Sequence, residues 1–185
     1  MSLGCLVLAA GAARRFGSPK QLALLDGRPL LAHVLALAAP WDPLVVLGAH
    51  ADTIREHVDF GRHVVAGDWA DGQSASLRAG VAALDDVDRV LVLLGDQPFL
   101  TRAVVEAVLA VDEGDAVRAA YSGVPGHPVV LGRRVLPAVG SLRGDTGARD
   151  LLGRFDVRLV EAGHLCDPAD IDTPDQLEAR REGVH

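Results

Sequence analysis

Leu3-Gly4-Cys5-Leu6-Val7-Leu8-Ala9-Ala10-Gly11-Ala12-Ala13-Arg14-Arg15-Phe16-Gly17-Ser18-Pro19-Lys20-Gln21 is the stretch on which the fold is decided. The apolar run from Leu3 to Leu8 suits a strand covered on both faces. It breaks directly into small residues, whose backbone N–H groups can approach a ligand closely and form a concavity for an anion. Arg14, Arg15 and Lys20 add mobile positive charge around that concavity. In an open α/β sheet, ligands of this kind sit in the first strand-to-helix turn. Two familiar phosphate loops do not match. There is no Gly-Lys-Ser/Thr ending, and Gly11 and Gly17 have the wrong spacing for G-x-G-x-x-G. The plainer alternative is a Gly-rich turn with surface cations.

Working outward, short β-type runs alternate with helix-type segments. Strands are expected at Leu44–Leu47, His63–Ala66, Arg89–Leu94, Ala116–Ala120 and Val129–Leu131. Helices are expected at Pro29–Ala38 with Pro29 in the first turn, Ala51–Val58, Ser74–Leu84, Thr101–Val111 with Thr101 as N-cap, Thr146–Arg154 and Pro174–Arg181. This alternation implies an α/β sheet, mostly parallel, with helices on both faces. The 185 residues fit one domain, 1–185, able to bury roughly 70% of the unfolded surface. The stretch 121–150, rich in Gly, Pro and Arg, reads as an excursion from the sheet, a lobe over the ligand within the one domain.

Composition narrows the function classes. Net charge is −7 and aromatic content 4%. A general nucleic-acid binder needs a basic face, and a single-strand binder needs stacking platforms, so no nucleic-acid partner is expected. A small anionic ligand fits better, provided a few cations converge locally. Cys5 and Cys166 are the only cysteines and form no CxxC or Cys/His cluster, which excludes a structural zinc site. No apolar stretch is long enough to cross a bilayer, and Met1 leads straight into the first strand without a signal-peptide pattern. A cytoplasmic protein with two free thiols and no membrane partner is expected.

Asp96 directly follows the most apolar strand, in Leu94-Gly95-Asp96-Gln97-Pro98. A carboxylate at the C-terminal end of a central strand faces the ligand crevice, and Mg²⁺ takes one or two protein carboxylates plus phosphate oxygens. A turn-forming Asp ahead of Pro98 is the other reading. A second acidic group lies in Asp170-Ile171-Asp172-Thr173-Pro174, where Thr173 can cap the last helix and Asp172 sits just before the cap.

These motifs resemble nucleotidyltransferases with a Rossmann-like, three-layer nucleotide-diphospho-sugar transferase fold, and within them the molybdenum cofactor cytidylyltransferases of the MobA-like NTP transferase family. The match rests on Leu8-Ala9-Ala10-Gly11, then Arg15, Gly17, Lys20-Gln21-Leu22 and Asp26-Gly27-Arg28-Pro29-Leu30-Leu31. Gly95-Asp96-Gln97-Pro98 adds to it, with Gln97 as in the cytidylyl branch; Ala13 departs from a Ser that is common there.

The resemblance implies that Leu8, Ala9, Ala10, Gly11 and Ala12 hold a triphosphate through backbone N–H groups. It implies that Arg15 and Lys20 neutralise the phosphates, that Asp96 and Asp172 hold Mg²⁺, and that Gly72 and Ser76 approach the nucleoside. It also places His127 of Gly126-His127-Pro128, and Arg149 of Arg143-Gly144-Asp145-Thr146-Gly147-Ala148-Arg149, on the molybdopterin side. On the bland reading, Ser74 is an N-cap, Trp69 a buried anchor, His127 structural and Arg149 solvated. The other histidines, His50 among them, read as ordinary.

The activity so implied is transfer of CMP from CTP to the terminal phosphate of molybdopterin with release of pyrophosphate, with a molybdoenzyme or its chaperone as a receiving partner. A guanylyl- or other nucleotidyltransferase acting on a different phosphorylated acceptor is the first alternative. A non-catalytic nucleotide-binding module is the second.

Overall fold

The computed structural model describes residues 1–13, 15–144 and 151–181. Its elements are β1 (Leu3–Ala9), β2 (Leu24–Leu25), β3 (Arg28–Pro29), α1 (Leu30–Ala38), β4 (Leu44–Leu47), α2 (Ala51–His57), β5 (His63–Val65), α3 (Gln73–Ala82), β6 (Arg89–Leu94), α4 (Arg102–Leu109), β7 (Ala116–Tyr121), β8 (Val124–Gly132), α5 (Leu136–Val139), β9 (Val157–Glu161) and α6 (Pro174–Arg181). Seven strands form one sheet in the order β5-β4-β1-β6-β8-β7-β9. Only β8 runs antiparallel to its neighbours. This is the mostly parallel α/β architecture expected from the alternation of segments.

The apolar strands divide their side chains between two cores. Cys5, Val7 and Ala9 of β1 pack on one face with Leu31 and Val34 of α1, Ile54 of α2 and Val104, Val105 and Val108 of α4. Leu6 packs on the other face with Leu77 of α3 and Val139 of α5. Strand residues thus meet helices on both sides, giving three layers. β1 pairs with β4 on one edge and β6 on the other, so the chain reverses its direction of strand addition there. Such a switch point opens a crevice beyond the C-terminal ends of β1 and β6.

Some boundaries differ from the sequence reading. Pro29 is not in the first turn of α1: it is extended (φ −54, ψ 142) and pairs with Leu24. The cause is Asp26-Gly27, both at positive φ (50 and 76), which close a two-residue hairpin. α3 is preceded by Gly72 (φ 103) and not by Ser74, whose hydroxyl donates to the Gly144 carbonyl at 2.6 Å. Of the stretch 121–150 read as leaving the sheet, Val124–Gly132 lies within it as β8. Its proline-bearing half extends past β6, which pairs only with Val129–Gly132, and prolines are tolerated where no ladder donor is needed. β9 escaped the sequence reading because it is an edge strand with Arg158, Leu159 and Glu161 exposed, so it lacks a continuous apolar run. The expected helix Thr146–Arg154 falls mostly outside the described residues. Thr101 caps α4 as expected, accepting from the Val104 N–H. No helix among the described residues is long and apolar enough to cross a membrane.

At the start of the crevice the backbone packs tightly. A Cβ at Gly48, just after β4, would lie 2.5 Å from the Ala10 carbonyl oxygen and 2.8 Å from its Cβ. Neither is the end of a flexible side chain. Gly48→Ala should therefore cost about 1–3 kcal/mol by overpacking and lower Tm by roughly 2–10 °C. Thermal unfolding checks this; an unchanged Tm contradicts the close approach.

Candidate active site

The register Leu8↔Leu94 brings the C-terminal ends of β1 and β6 side by side. Beyond them lies a cleft of about 390 Å³, bounded by the loop from Leu8 to Ala13, by Lys20, by Trp69, Gly72 and Ser76, and by Leu94 to Asp96. The small-residue loop, the strand-end carboxylate and the turn before α3 therefore meet in one place, although up to 88 residues of chain separate Leu8 from Asp96.

The loop is held from beneath by Gln21. Its Nε2 donates to the carbonyls of Ala9 (3.0 Å) and Gly11 (3.3 Å), and the residue is 2% exposed. His50 also engages the loop, with Nε2 3.1 Å from the Ala12 carbonyl oxygen. Neither role was read from sequence. Gln21 stood inside the quoted motif without a part to play, and His50 belongs to the loop after β4, whose proximity only the sheet order reveals.

Lys20 is the centre of the charge arrangement. Its ammonium lies 2.5 Å from Asp96 Oδ2 and 2.8 Å from Asp172 Oδ1. The Arg15 guanidinium lies 2.6 Å from the other Asp172 oxygen. Burial works against the charged lysine. The charge of Asp96 and hydrogen bonds to Asp172 and Asp96 more than offset it, so Lys20 titrates above its ordinary 10.5. The hydrogen bond from Lys20, opposed by partial burial and aided by the charges of Lys20 and Arg15, holds Asp172 below its ordinary 3.8. Arg15 itself is largely solvated and points at Asp172 and not into the cleft.

Asp172 reaches this position from the far end of the chain because its neighbours are fixed. Ile171 is buried against Leu25, Leu30 and Leu177, and its N–H donates to the Asp96 carbonyl at 3.2 Å. Thr173 and Gln176 form a reciprocal cap on α6. Gln176 N–H donates to Thr173 Oγ1, while Gln176 Oε1 accepts from the N–H groups of Thr173 and Asp172. The expected Thr173 cap is present, and Gln176 supplies the half that the sequence reading did not name.

A second cleft, of about 720 Å³, adjoins the first through Leu8, Gln73 and Leu94. It is bounded by Gln97, Arg118, Tyr121, His127 and Asp170 among others. Gln97 therefore lies on this side and not beside the first cleft. Its Nε2 donates to Asp170 Oδ1 (2.6 Å) and the Pro168 carbonyl (3.2 Å). Partial burial and the charge of Asp96 raise Asp170, against the lowering effect of the Gln97 hydrogen bond. Burial, then the positive charge of Arg118, hold the His127 imidazole down at about 4, so it is neutral at pH 7. Tyr121 donates to the His127 carbonyl at 2.7 Å, which fixes the backbone there. Arg118 was not singled out in the sequence because it sits inside an apolar strand. Arg149 lies outside the described residues.

Residues 5–160 match the model of the MobA-like NTP transferase domain. The chain belongs to the MobA-like NTP transferase family. A nicotine blue oxidoreductase from Paenarthrobacter nicotinovorans is 34% identical, over 93% of either chain. Among solved structures, the homologue of Mycobacterium tuberculosis Rv0371c from Mycobacterium sp. strain JC1 superposes with a TM-score of 0.85 at 34% identity, covering 98% of this chain and 96% of that one. Rv0371c of M. tuberculosis in complex with manganese gives 0.82 at 29% identity over the full length of both.

The ion pairs fix a pH dependence. Because Asp172 titrates below its ordinary value, it stabilises the fold at pH above 3.8, and that contribution is lost as pH falls through its folded value. Wild type should exceed Asp172→Asn in stability by about 1 kcal/mol or less at neutral pH, since Arg15 is solvated. Chemical denaturation across pH 7 to about 2.5 should show this difference shrinking on the acid side. A difference that grows as pH falls contradicts the assignment.

Proposed function

We propose that the chain is a cytoplasmic, divalent-cation-dependent cytidylyltransferase that moves CMP from CTP to the terminal phosphate of molybdopterin and releases pyrophosphate. The observation that carries this reading is the Lys20 ammonium between Asp96 and Asp172, at a backbone-lined cleft that adjoins a second, larger one. The first cleft suits a nucleoside triphosphate and the second an acceptor.

Two carboxylates that already converge on one cation have the hard oxygen donors Mg²⁺ prefers, leaving room for phosphate oxygens in its shell. Asp96 and Asp172 would hold it, and when bound it supplies charge neutralisation at the phosphates. A relative solved with manganese supports a divalent ion of this kind.

The remaining chemistry falls to the chain's own groups. The N–H groups of Ala10 to Ala12 approach the phosphates, and Gln21 keeps their loop in shape. Lys20 brings positive charge to the phosphates from the cleft wall, and Arg15 joins it by turning from Asp172. An acceptor phosphate oxygen attacks the α-phosphorus; the new P–O bond forms as the bond to the β-phosphate oxygen breaks, and pyrophosphate carries away the electron pair. An ionised phosphate needs no general base, so positioning and electrostatic stabilisation dominate. Gly72 and Ser76 border the nucleoside end of the first cleft. On the acceptor side, neutral His127 offers a hydrogen bond and Arg118 a charge. Arg149 is proposed to act there too, and a molybdoenzyme or its chaperone would take the product.

The name of the nicotine blue relative denotes redox chemistry, whereas the cation–carboxylate arrangement here favours phosphate handling. The specific alternative is transfer of another nucleotide, or transfer to another phosphorylated acceptor.

Incubation with Mg²⁺, molybdopterin and each triphosphate in turn should release pyrophosphate fastest with CTP. No release above background with any triphosphate refutes the transferase, and a GTP preference refutes the base assignment alone. Asp96→Asn should lower kcat by about 10²–10³ with the far-UV spectrum unchanged; retained turnover removes Asp96 from the proposed metal site. His127→Asn should raise KM for molybdopterin and leave KM for CTP unchanged, and equal effects on both would place its role elsewhere.

A further inference from the structure

Lys20 contacts one oxygen of Asp96 and one of Asp172, and Arg15 takes the second Asp172 oxygen. Both oxygens of Asp172 are thus already engaged by positive groups. Lys20 and Arg15 match the charges of Asp96 and Asp172, while Asp170, close enough to feel Asp96, Asp172 and Lys20, adds a third carboxylate beside them. A divalent ion arriving alone would bring two further positive charges next to the ammonium of Lys20, whose side chain is only 13% exposed. Like charges in a partly desolvated space repel strongly. A metal bonded to these carboxylates would stand close to the Lys20 ammonium, and the two positive groups would compete for the same oxygens.

The backbone at Lys20 is fixed, but its charged end is not obliged to stay. Gln21, the next residue, is clamped under the loop. Lys20 itself borders the same cleft as Gly11 and Ala12, within reach of any anion held there. A triphosphate offers the ammonium and the Arg15 guanidinium a competing set of oxygens, which frees the carboxylates.

We propose that Lys20 is a resident counter-ion that keeps a divalent cation off Asp96 and Asp172 until a triphosphate draws its ammonium away. This rests on the reading of those two carboxylates as the metal-holding pair. Metal and nucleotide then bind with positive coupling, each raising the affinity for the other by the same factor. Metal alone binds weakly, and the site stays closed by its own lysine when no nucleotide is present. Arg15 contributes the same effect more weakly, from its solvated position on one carboxylate.

The test is titration of the nucleotide-free protein with Mn²⁺, followed by the electron paramagnetic resonance of free Mn²⁺, with Asp96→Asn as the control for binding at this site. Lys20→Met should bind Mn²⁺ at least about tenfold more tightly than wild type. Arg15→Gln should tighten it by about two- to fivefold, and this exposed substitution serves if Lys20→Met does not fold. A residue that served only to contact phosphate, or only to hold the fold, would leave nucleotide-free metal affinity unchanged or weaken it. Equal or weaker Mn²⁺ binding in the folded variants overturns the proposal, as does Mn²⁺ binding to none of the proteins. Tightening in the variants, together with no pyrophosphate release by the wild type from any triphosphate, would uphold the counter-ion and refute the transferase.

Discussion

A single ammonium group joins two carboxylates that arise 76 residues apart, and most of the structure around the clefts serves that contact. Asp96 is delivered by the end of β6, whose apolar body is clamped between β1 and β8. Asp172 is delivered by Ile171, buried in a small apolar cluster, and by the Thr173–Gln176 cap. Lys20 is delivered by a turn that Gln21 ties to the end of β1. Each of these anchors is neutral and buried or hydrogen-bonded, so the three charges are positioned by groups that do not change charge.

That arrangement reconciles an acidic chain with a triphosphate. Net charge is −7, and a field of that sign over the whole surface opposes an anionic ligand. Local convergence overrides the average, because Lys20 is largely enclosed and its interactions are screened less than those of surface charges. On the other side of Leu8 and Leu94 the second cleft has a different character. There a neutral imidazole, a hydrogen-bonded Gln97–Asp170 pair and Arg118 surround a larger space. Two adjoining compartments lined by different groups suit a reaction that joins two unlike substrates.

The sequence revealed the parts whose physics is local. Strands covered on both faces announce themselves as apolar runs, and β1, β4 and β6 were found almost to the residue. The loop after β1 and the carboxylate after β6 were legible for the same reason, since strand ends locate them. β9 and the first half of β8 were missed because edge strands can carry charge and proline. Gln21, His50 and Arg118 were missed because their partners lie on other elements, and no spacing rule joins them. Gln97 shows a subtler limit. Its motif was recognised, yet the side of the sheet it faces is set by the path of residues 167–172, which only the tertiary structure supplies.

The most direct test of the whole scheme is a crystal structure with a non-hydrolysable CTP analogue and Mn²⁺. The expected result is nucleotide phosphates against the Ala10–Ala12 backbone, Lys20 moved onto a phosphate oxygen, and Mn²⁺ held between Asp96 and Asp172. A nucleotide bound elsewhere, with the Lys20 ammonium still on both carboxylates, would contradict it.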